Sequence, residues 1–144
     1  MLMFSHVSLN SSFYYDSELG IRLHRGFRNH AHRLVEDLEP LLSNHQRSTV
    51  ELCGHSLGGA VAMIVAAKLK KRGYNVVRVT GIATPRFVEN DTTAIQTLVD
   101  LLPYDTLRIE DDLDGMSPIF TPCRLCICWS QVVVCKWQGR QTLV

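Results

Sequence analysis

The sequence predicts an α/β domain built on a mainly parallel sheet with helices on both faces. Strand-like apolar segments alternate with amphipathic helix-like segments as far as about residue 118. A β-branched run at residues 76–82 is typical of a buried parallel strand. A Gly-x-Ser-x-Gly turn at residues 54–58 joins a strand-like segment to a helix-like one. This β-α-β-α-β order favours parallel pairing with right-handed crossovers.

The first half of the chain contains two predicted helices and one predicted strand. The first twenty residues show no clear period, which indicates loop or edge structure. Apolar residues at three- and four-residue spacing predict a helix over residues 27–42, and Pro40 should kink or loosen its last turns. Residues 49–53 alternate as a strand does, and residues 60–72 form the next helix, closed by a glycine.

The second half continues the alternation. After the strand at residues 76–82, a turn at residues 83–87 leads to an amphipathic helix over residues 94–102, which Pro103 stops. Residues 106–110 form the next predicted strand, and an acidic cluster at residues 111–114 follows it. Functional groups in such sheets gather beyond the carboxyl ends of the strands, where both the serine turn and the acidic cluster lie.

Composition excludes several classes of function. The 144 residues are 46% hydrophobic, which suits one globular domain with a core. Fifteen basic residues balance 14 acidic ones, so nothing favours nucleic acid as a partner. No apolar run reaches the roughly 20 residues of a membrane span, and the first residues lack the pattern of a signal peptide. The compartment stays open, with the cytoplasm as the default expectation.

The serine turn at residues 54–60 reads Gly-His-Ser-Leu-Gly-Gly-Ala, and its predicted setting is strand–turn–helix. That setting is typical of a nucleophile elbow, in which a strained turn exposes the serine hydroxyl above the sheet edge. Small residues must flank the serine because a Cβ would collide with the neighbouring strand and helix. The backbone N–H of Leu57 lies at the predicted helix start and could stabilise an oxyanion. The alternative is a glycine-rich turn without chemistry.

Residues 23–118 resemble the class 3 (fungal-type) lipases of the α/β-hydrolase superfamily, in four motifs in the right order. Residues 23–27 are similar to the family's His-x-Gly-Phe, and residues 54–60 reproduce its preferred elbow. Residues 81–86 resemble its Gly-x-Pro-Arg strand end, with an insertion before the proline. Residues 108–114 resemble the Arg-led strand whose last aspartate belongs to the catalytic triad. The resemblance therefore implies a partial α/β-hydrolase fold over residues 1–118.

The resemblance also implies the roles of individual residues. Ser56 would be the nucleophile, Leu57 the oxyanion donor, and Asp114 the acid that orients a histidine, although Asp112 or Asp111 could serve instead. The rest of the elbow comprises Gly54, His55, Gly58 and Gly59. The implied substrate is a lipid or other ester, with possible transient contact with a lipid interface. Serine acyl transfer needs no metal and no cofactor.

Two departures from the family pattern concern catalysis. No histidine follows His55 in the sequence, whereas the family takes its general base from a histidine after the triad aspartate. The family's strand that ends in Arg-Gly-Thr, which supplies a second oxyanion donor, has no counterpart before Leu23. The chain therefore looks truncated at both ends, and we expect little or no turnover from it alone.

Residues 119–144 form an atypical tail that holds four of the five cysteines and both tryptophans. Cys123 and Cys126 have the Cys-x-x-Cys spacing of metal ligands, but a second pair is missing, so neither zinc nor a disulfide is favoured. Three hypotheses remain open: a serine esterase of the lipase type, a non-catalytic lipase-like binding or scaffold protein, and a metal-binding interaction module.

Overall fold

The computed structural model describes residues 12–44, 48–109 and 132–137. These residues form three helices, a two-stranded hairpin and a four-stranded sheet. In chain order the elements are β1 (Phe13–Asp16), β2 (Ile21–His24), α1 (Arg25–Ser43), β3 (Thr49–His55), α2 (Leu57–Lys71), β4 (Val76–Ile82), α3 (Thr92–Leu101), β5 (Asp105–Ile109) and β6 (Val132–Trp137). No helix in the described part of the chain is long and apolar enough to cross a bilayer.

The main sheet has the order β5-β4-β3-β6. Strands β3, β4 and β5 pair in parallel, so the predicted α/β class with a parallel sheet is confirmed. Strand β6, from the cysteine-rich tail, pairs antiparallel with β3 on the other side. Its first residue, Val132, is paired with Gly54 next to the serine turn. Strand β3 therefore lies inside the sheet, and its carboxyl end carries the turn.

Helix α2 packs on the sheet and is the most buried element described. Every residue from Gly58 to Leu69 is buried, because small and aliphatic side chains let the helix lie closely on β3 and β4. Helices α1 and α3 pack against α2 and β2. Helix α1 continues through Pro40 to Ser43, and the side chains of Ser43 and Asn44 donate hydrogen bonds to the Pro40 carbonyl. The predicted helix over residues 27–42 is thus confirmed, with slightly wider limits.

Residues 13–24 form a hairpin that their sequence does not reveal. Strands β1 and β2 form an antiparallel hairpin with a turn at residues 17–20. Asp16 is buried at the end of β1, where it binds the Leu19 N–H at 3.0 Å, Arg28 Nε at 3.1 Å and Lys68 Nζ at 2.8 Å. Burial alone would raise the pKa of Asp16, but the hydrogen bonds and positive charges of these partners outweigh it and lower that pKa. The hairpin is therefore tied to α1 and α2.

Glu18 extends this ionic contact to the end of α2. Its carboxylate accepts hydrogen bonds from Arg72 at 2.5 Å and 3.0 Å, and from Lys68 Nζ at 2.8 Å. The hydrogen bonds from Arg72 are the main reason that the pKa of Glu18 falls to about 2; Lys68 adds to this effect, and partial burial opposes it. Lys68 itself is only 2% exposed. A buried lysine is thus held between two carboxylates.

Candidate active site

The serine turn has the geometry that the motif predicts. Ser56 lies between the last residue of β3 and the first residue of α2, with φ 52° and ψ −122°. Its N–H donates to the Ile82 carbonyl at 2.8 Å, and its own carbonyl accepts the Gly59 N–H at 2.9 Å. The side chain is half-buried and does not cap the helix. A serine in this strained conformation, held from both sides, is the arrangement of a nucleophile elbow.

Two glycines of the turn are required by close approach of the helix to the strand. A Cβ on Gly54 would lie 2.2 Å from the carbonyl oxygen of Gly58. A Cβ on Gly59 would lie 2.4 Å from Thr84 Oγ1. Both distances are far shorter than a van der Waals contact, so the prediction that small residues must surround the serine agrees with this packing.

The N-terminus of α2 gives this turn its electrostatic character. Leu57 is the first helical residue, and the first N–H groups of a helix have no acceptor inside the helix. The first turn of α2 holds no acidic side chain, and its basic residues Lys68, Lys70 and Lys71 lie in the last turn. The positive end of the helix dipole is therefore not neutralised by a carboxylate of α2. The arrangement suits a negative charge that develops next to Ser56.

Two histidines lie close to this edge of the sheet. His55 ends β3 and alternates with the buried residues Leu52 and Gly54, so its side chain is on the face of the sheet away from α2. The His24 N–H donates to the carbonyl of Phe87, and its ring packs on Phe27 at 4.5 Å. His24 Nδ1 is buried and finds no hydrogen-bond partner among the described residues. His24 thus contributes to packing where β2 meets the chain after β4.

The end of β5 reaches the same edge of the sheet. Ile109 is paired with Ile82, which is itself paired with His55, so the chain leaves β5 on the side where Ser56 lies. Asp114 and its alternative Asp112 follow that point but are outside the described residues, as are the cysteines at positions 123, 126 and 128. Their predicted roles therefore stay predictions.

The turn after β4 contains a strained residue that the sequence does not reveal. With its glycine aligned on Gly81, the Gly-x-Pro-Arg pattern needs two extra residues before Pro85. Ala83 has φ 48°, a conformation that favours glycine, whereas no positive φ is found at Gly81. Counting back from Pro85 places the pattern's glycine at Ala83, without an insertion. The side chain of Thr84 then packs beneath the elbow, a contact for which the sequence holds no separate signal.

A strained serine between a central parallel strand and a buried helix defines a protein of the α/β-hydrolase class. The family model for Lipase (class 3) matches residues 2–118 of this sequence. The chain belongs to the class 3 lipase family. This confirms the family resemblance derived from the four motifs.

Two known proteins are similar to this chain, one in sequence and one in fold. A protein of Saccharomyces cerevisiae named "Putative lipase LIH1" is 32% identical over 98 residues, which cover 65% of this chain and 29% of the yeast protein. The structure of the Rhizomucor miehei triacylglyceride lipase superposes with a TM-score of 0.53 at 22% identity, and the match covers 82% of this chain and 45% of the fungal one. The latter similarity supports the fold alone. The chain spans less than half the length of each relative.

Proposed function

We propose that this chain carries the nucleophile, Ser56, of an enzyme that hydrolyses carboxylic esters of lipids. The observation that carries the proposal is the backbone of Ser56, a non-glycine residue at φ 52° on the N-terminus of α2. Such strain persists where surrounding structure enforces it, and it is concentrated at functional sites. Membership of the class 3 lipase family supports an ester as the substrate.

The chemistry would follow acyl transfer to serine. Ser56 Oγ adds to the ester carbonyl carbon and loses its proton to a general base, and the carbonyl oxygen becomes an oxyanion. The Leu57 N–H would donate to that oxygen. A single donor of this kind contributes about 3–4 kcal/mol of transition-state stabilisation in serine hydrolases. The alcohol then leaves with a proton, and water releases the acyl group from Ser56.

These 144 residues contain no histidine in the position of the family's general base. We assign the orienting acid to Asp114, with Asp112 as the alternative, and a histidine would have to be placed between this carboxylate and Ser56. All six histidines of the sequence lie at or before position 55. We therefore expect little or no turnover from these 144 residues, because a serine hydroxyl without a base is a poor nucleophile near neutral pH.

Labelling with a fluorophosphonate probe tests the nucleophile separately from turnover. Because no base activates the hydroxyl, the probe is used in excess at alkaline pH with long incubation. The intact chain should then be modified slowly at Ser56, as read by peptide mass spectrometry, and the signal should vanish in Ser56→Ala. The exposed Ser43, at the end of α1, provides the matched control, because Ser43→Ala should label like the wild type. Labelling that is unchanged in Ser56→Ala would contradict the proposal. Hydrolysis of a p-nitrophenyl ester near the buffer rate is the expected result for turnover.

A second candidate is a non-catalytic lipase-like protein that binds lipid and keeps the elbow as a scaffold. The observation in its favour is the lack of any histidine after His55 in the sequence. It predicts no labelling of Ser56 but binding to lipid vesicles in a sedimentation assay. Labelling of Ser56 together with no vesicle binding would exclude it.

A further inference from the structure

The two central parallel strands end in the same unusual way. His55 and Ile82 are paired, and each is the last residue of its strand. The next residues, Ser56 and Ala83, have φ values of 52° and 48°. Among the described residues, these are the only two non-glycine residues with positive φ. A second strained turn therefore lies directly beside the elbow, and the proposed chemistry at Ser56 does not account for it.

The turn at Ala83 leads the next side chain back beneath the elbow. Thr84 is only 4% exposed. Its Oγ1 lies 2.4 Å from the position that a Cβ would take on Gly59, and 2.4 Å from that position on Gly81. The side chain thus fills the space between the first turn of α2 and strand β4. Oγ1 is buried and has no hydrogen-bond partner among the described residues, so this contact acts through shape.

The segment that carries Thr84 is fixed on both sides. Arg108 Nη2, from β5, donates to the Thr84 carbonyl at 2.8 Å. The Ser56 N–H donates to the carbonyl of Ile82 at 2.8 Å. Ala83 lies between these two anchors, so a change in its backbone conformation would disturb one of these hydrogen bonds. Rigid anchoring is what a side chain needs if it is to hold a helix at a set distance.

We propose that Thr84 is a positioning residue of the elbow. Its side chain sets the distance between the first turn of α2 and β4, and with it the places of the Ser56 hydroxyl and the Leu57 N–H. Thr84 acts through Gly59, which lies two residues after Leu57 in the helix. The catalytic meaning of this role rests on the proposed function, but the geometric role can be measured without turnover.

The test uses a cysteine in place of the serine. In a Ser56→Cys protein the thiol lies at the N-terminus of α2, where the helix dipole lowers the pKa of a thiol and speeds its alkylation. The rate of alkylation by iodoacetamide as a function of pH, measured at position 56 by peptide mass spectrometry, reports the position of this thiol against the helix. No histidine and no substrate are required.

Three variants of the Ser56→Cys protein test whether the shape of the Thr84 side chain, rather than its hydroxyl chemistry, sets the alkylation rate. Thr84→Ala removes the Oγ1 contact and should slow alkylation about tenfold, because a displaced first turn of α2 stabilises the reactive thiolate less. Thr84→Ser keeps Oγ1, and its alkylation rate should stay within about twofold of the parent rate. Adding Gly59→Ala to Thr84→Ala refills the space from the helix side and should recover most of the rate without any hydroxyl. Thr93→Ala, on the exposed side of α3, is the remote control.

All rates are compared well below the melting temperature of each variant, so that loss of stability alone does not change them. Thr84→Ala with the alkylation rate and thiol pKa of the parent would overturn the proposal. The proposal would also be overturned if Thr84→Ser were alkylated as slowly as Thr84→Ala. The same holds if adding Gly59→Ala to Thr84→Ala did not restore the alkylation rate. Failure of the fluorophosphonate to label Ser56 would instead refute the proposed esterase function and leave these comparisons intact.

Discussion

Replacing Gly59 with alanine measures how tightly α2 is seated on the sheet. The new Cβ would lie 2.4 Å from Thr84 Oγ1 and 3.0 Å from the Gly54 carbonyl oxygen. The first distance is about 1 Å shorter than an ordinary contact, and overpacking of this kind costs about 1–3 kcal/mol. Alanine in place of glycine in a helix returns about 1 kcal/mol. The net loss of unfolding free energy should therefore reach about 2 kcal/mol at most.

Gly59→Ala should lower the unfolding free energy far less when Thr84 is also replaced with alanine. The overlap with Oγ1 is then gone, the smaller contact with the Gly54 carbonyl remains, and the helix gain is unchanged. We expect a coupling free energy of about 1–2 kcal/mol between the two positions. Gly54→Ala is the matched control. Its Cβ would lie 2.2 Å from the Gly58 carbonyl, a main-chain clash that no change at Thr84 can relieve.

Urea unfolding followed by far-UV circular dichroism provides the four free energies of the cycle, with equal m-values as the check on two-state behaviour. A coupling below about 0.5 kcal/mol would refute the reasoning, because distant, independent sites add to within that range. Equal rescue of Gly54→Ala by Thr84→Ala would refute it as well, since it would show general loosening of the core rather than relief of one contact.

Three further predictions concern the ionic contacts of the hairpin and the strained turn. Lys68→Met leaves the buried Asp16 carboxylate without its closest cation, so the unfolding free energy from thermal unfolding should fall by about 3–5 kcal/mol. The control Lys70→Met, at an exposed position, should change it by no more than about 0.5 kcal/mol. Equal effects of the two changes would contradict the buried ion pair. The pKa of Glu18 is lowered from 4.5 to about 2, so its stabilisation is complete above pH 4.5 and is lost as pH falls from 4.5 to 2. After allowance for solvent exposure it amounts to about 1–2 kcal/mol, and Glu18→Gln should flatten the unfolding free energy across that pH range. Ala83→Gly should raise the unfolding free energy by up to about 1 kcal/mol, because relief of positive-φ strain exceeds the added entropy of the unfolded chain; a loss in urea unfolding would show that Ala83 is not strained.

The elements that sequence reasoning predicted best are those whose cause is local. The strand–turn–helix around Ser56 follows from its glycine pattern, and at Gly54 and Gly59 a Cβ would clash with the facing atoms. The β-branched run at residues 76–82 is strand β4 with the predicted limits. In each case neighbouring residues favour the same structure, so a single sequence is sufficient.

What the sequence did not predict depends on contacts between distant residues. Strands β1 and β2 have four residues each, too few for a clear period, and Asp16 gains its main cation from Lys68, 52 residues further along. A lysine near the end of a helix predicts an exposed side chain, and only the hairpin makes its burial possible. Strand β6 likewise owes its place to pairing with β3 across about 80 residues.

The position of the Ser56 hydroxyl is thus a property of three strands rather than of one motif. The glycines allow α2 to approach β3, but they do not by themselves say how close it comes, because a glycine offers no side chain to stop it. The Thr84 side chain, just after β4, packs against the first turn of α2 and limits this approach. Arg108, from β5, donates a hydrogen bond to the Thr84 carbonyl. Arg108→Met removes the charge and the donors of that anchor. In the Ser56→Cys background it should therefore reduce alkylation at position 56 in the direction of Thr84→Ala. If Arg108→Met left the alkylation rate unchanged while Thr84→Ala reduced it, the anchor would lie in the Ala83 backbone, and the contribution of β5 would be ruled out.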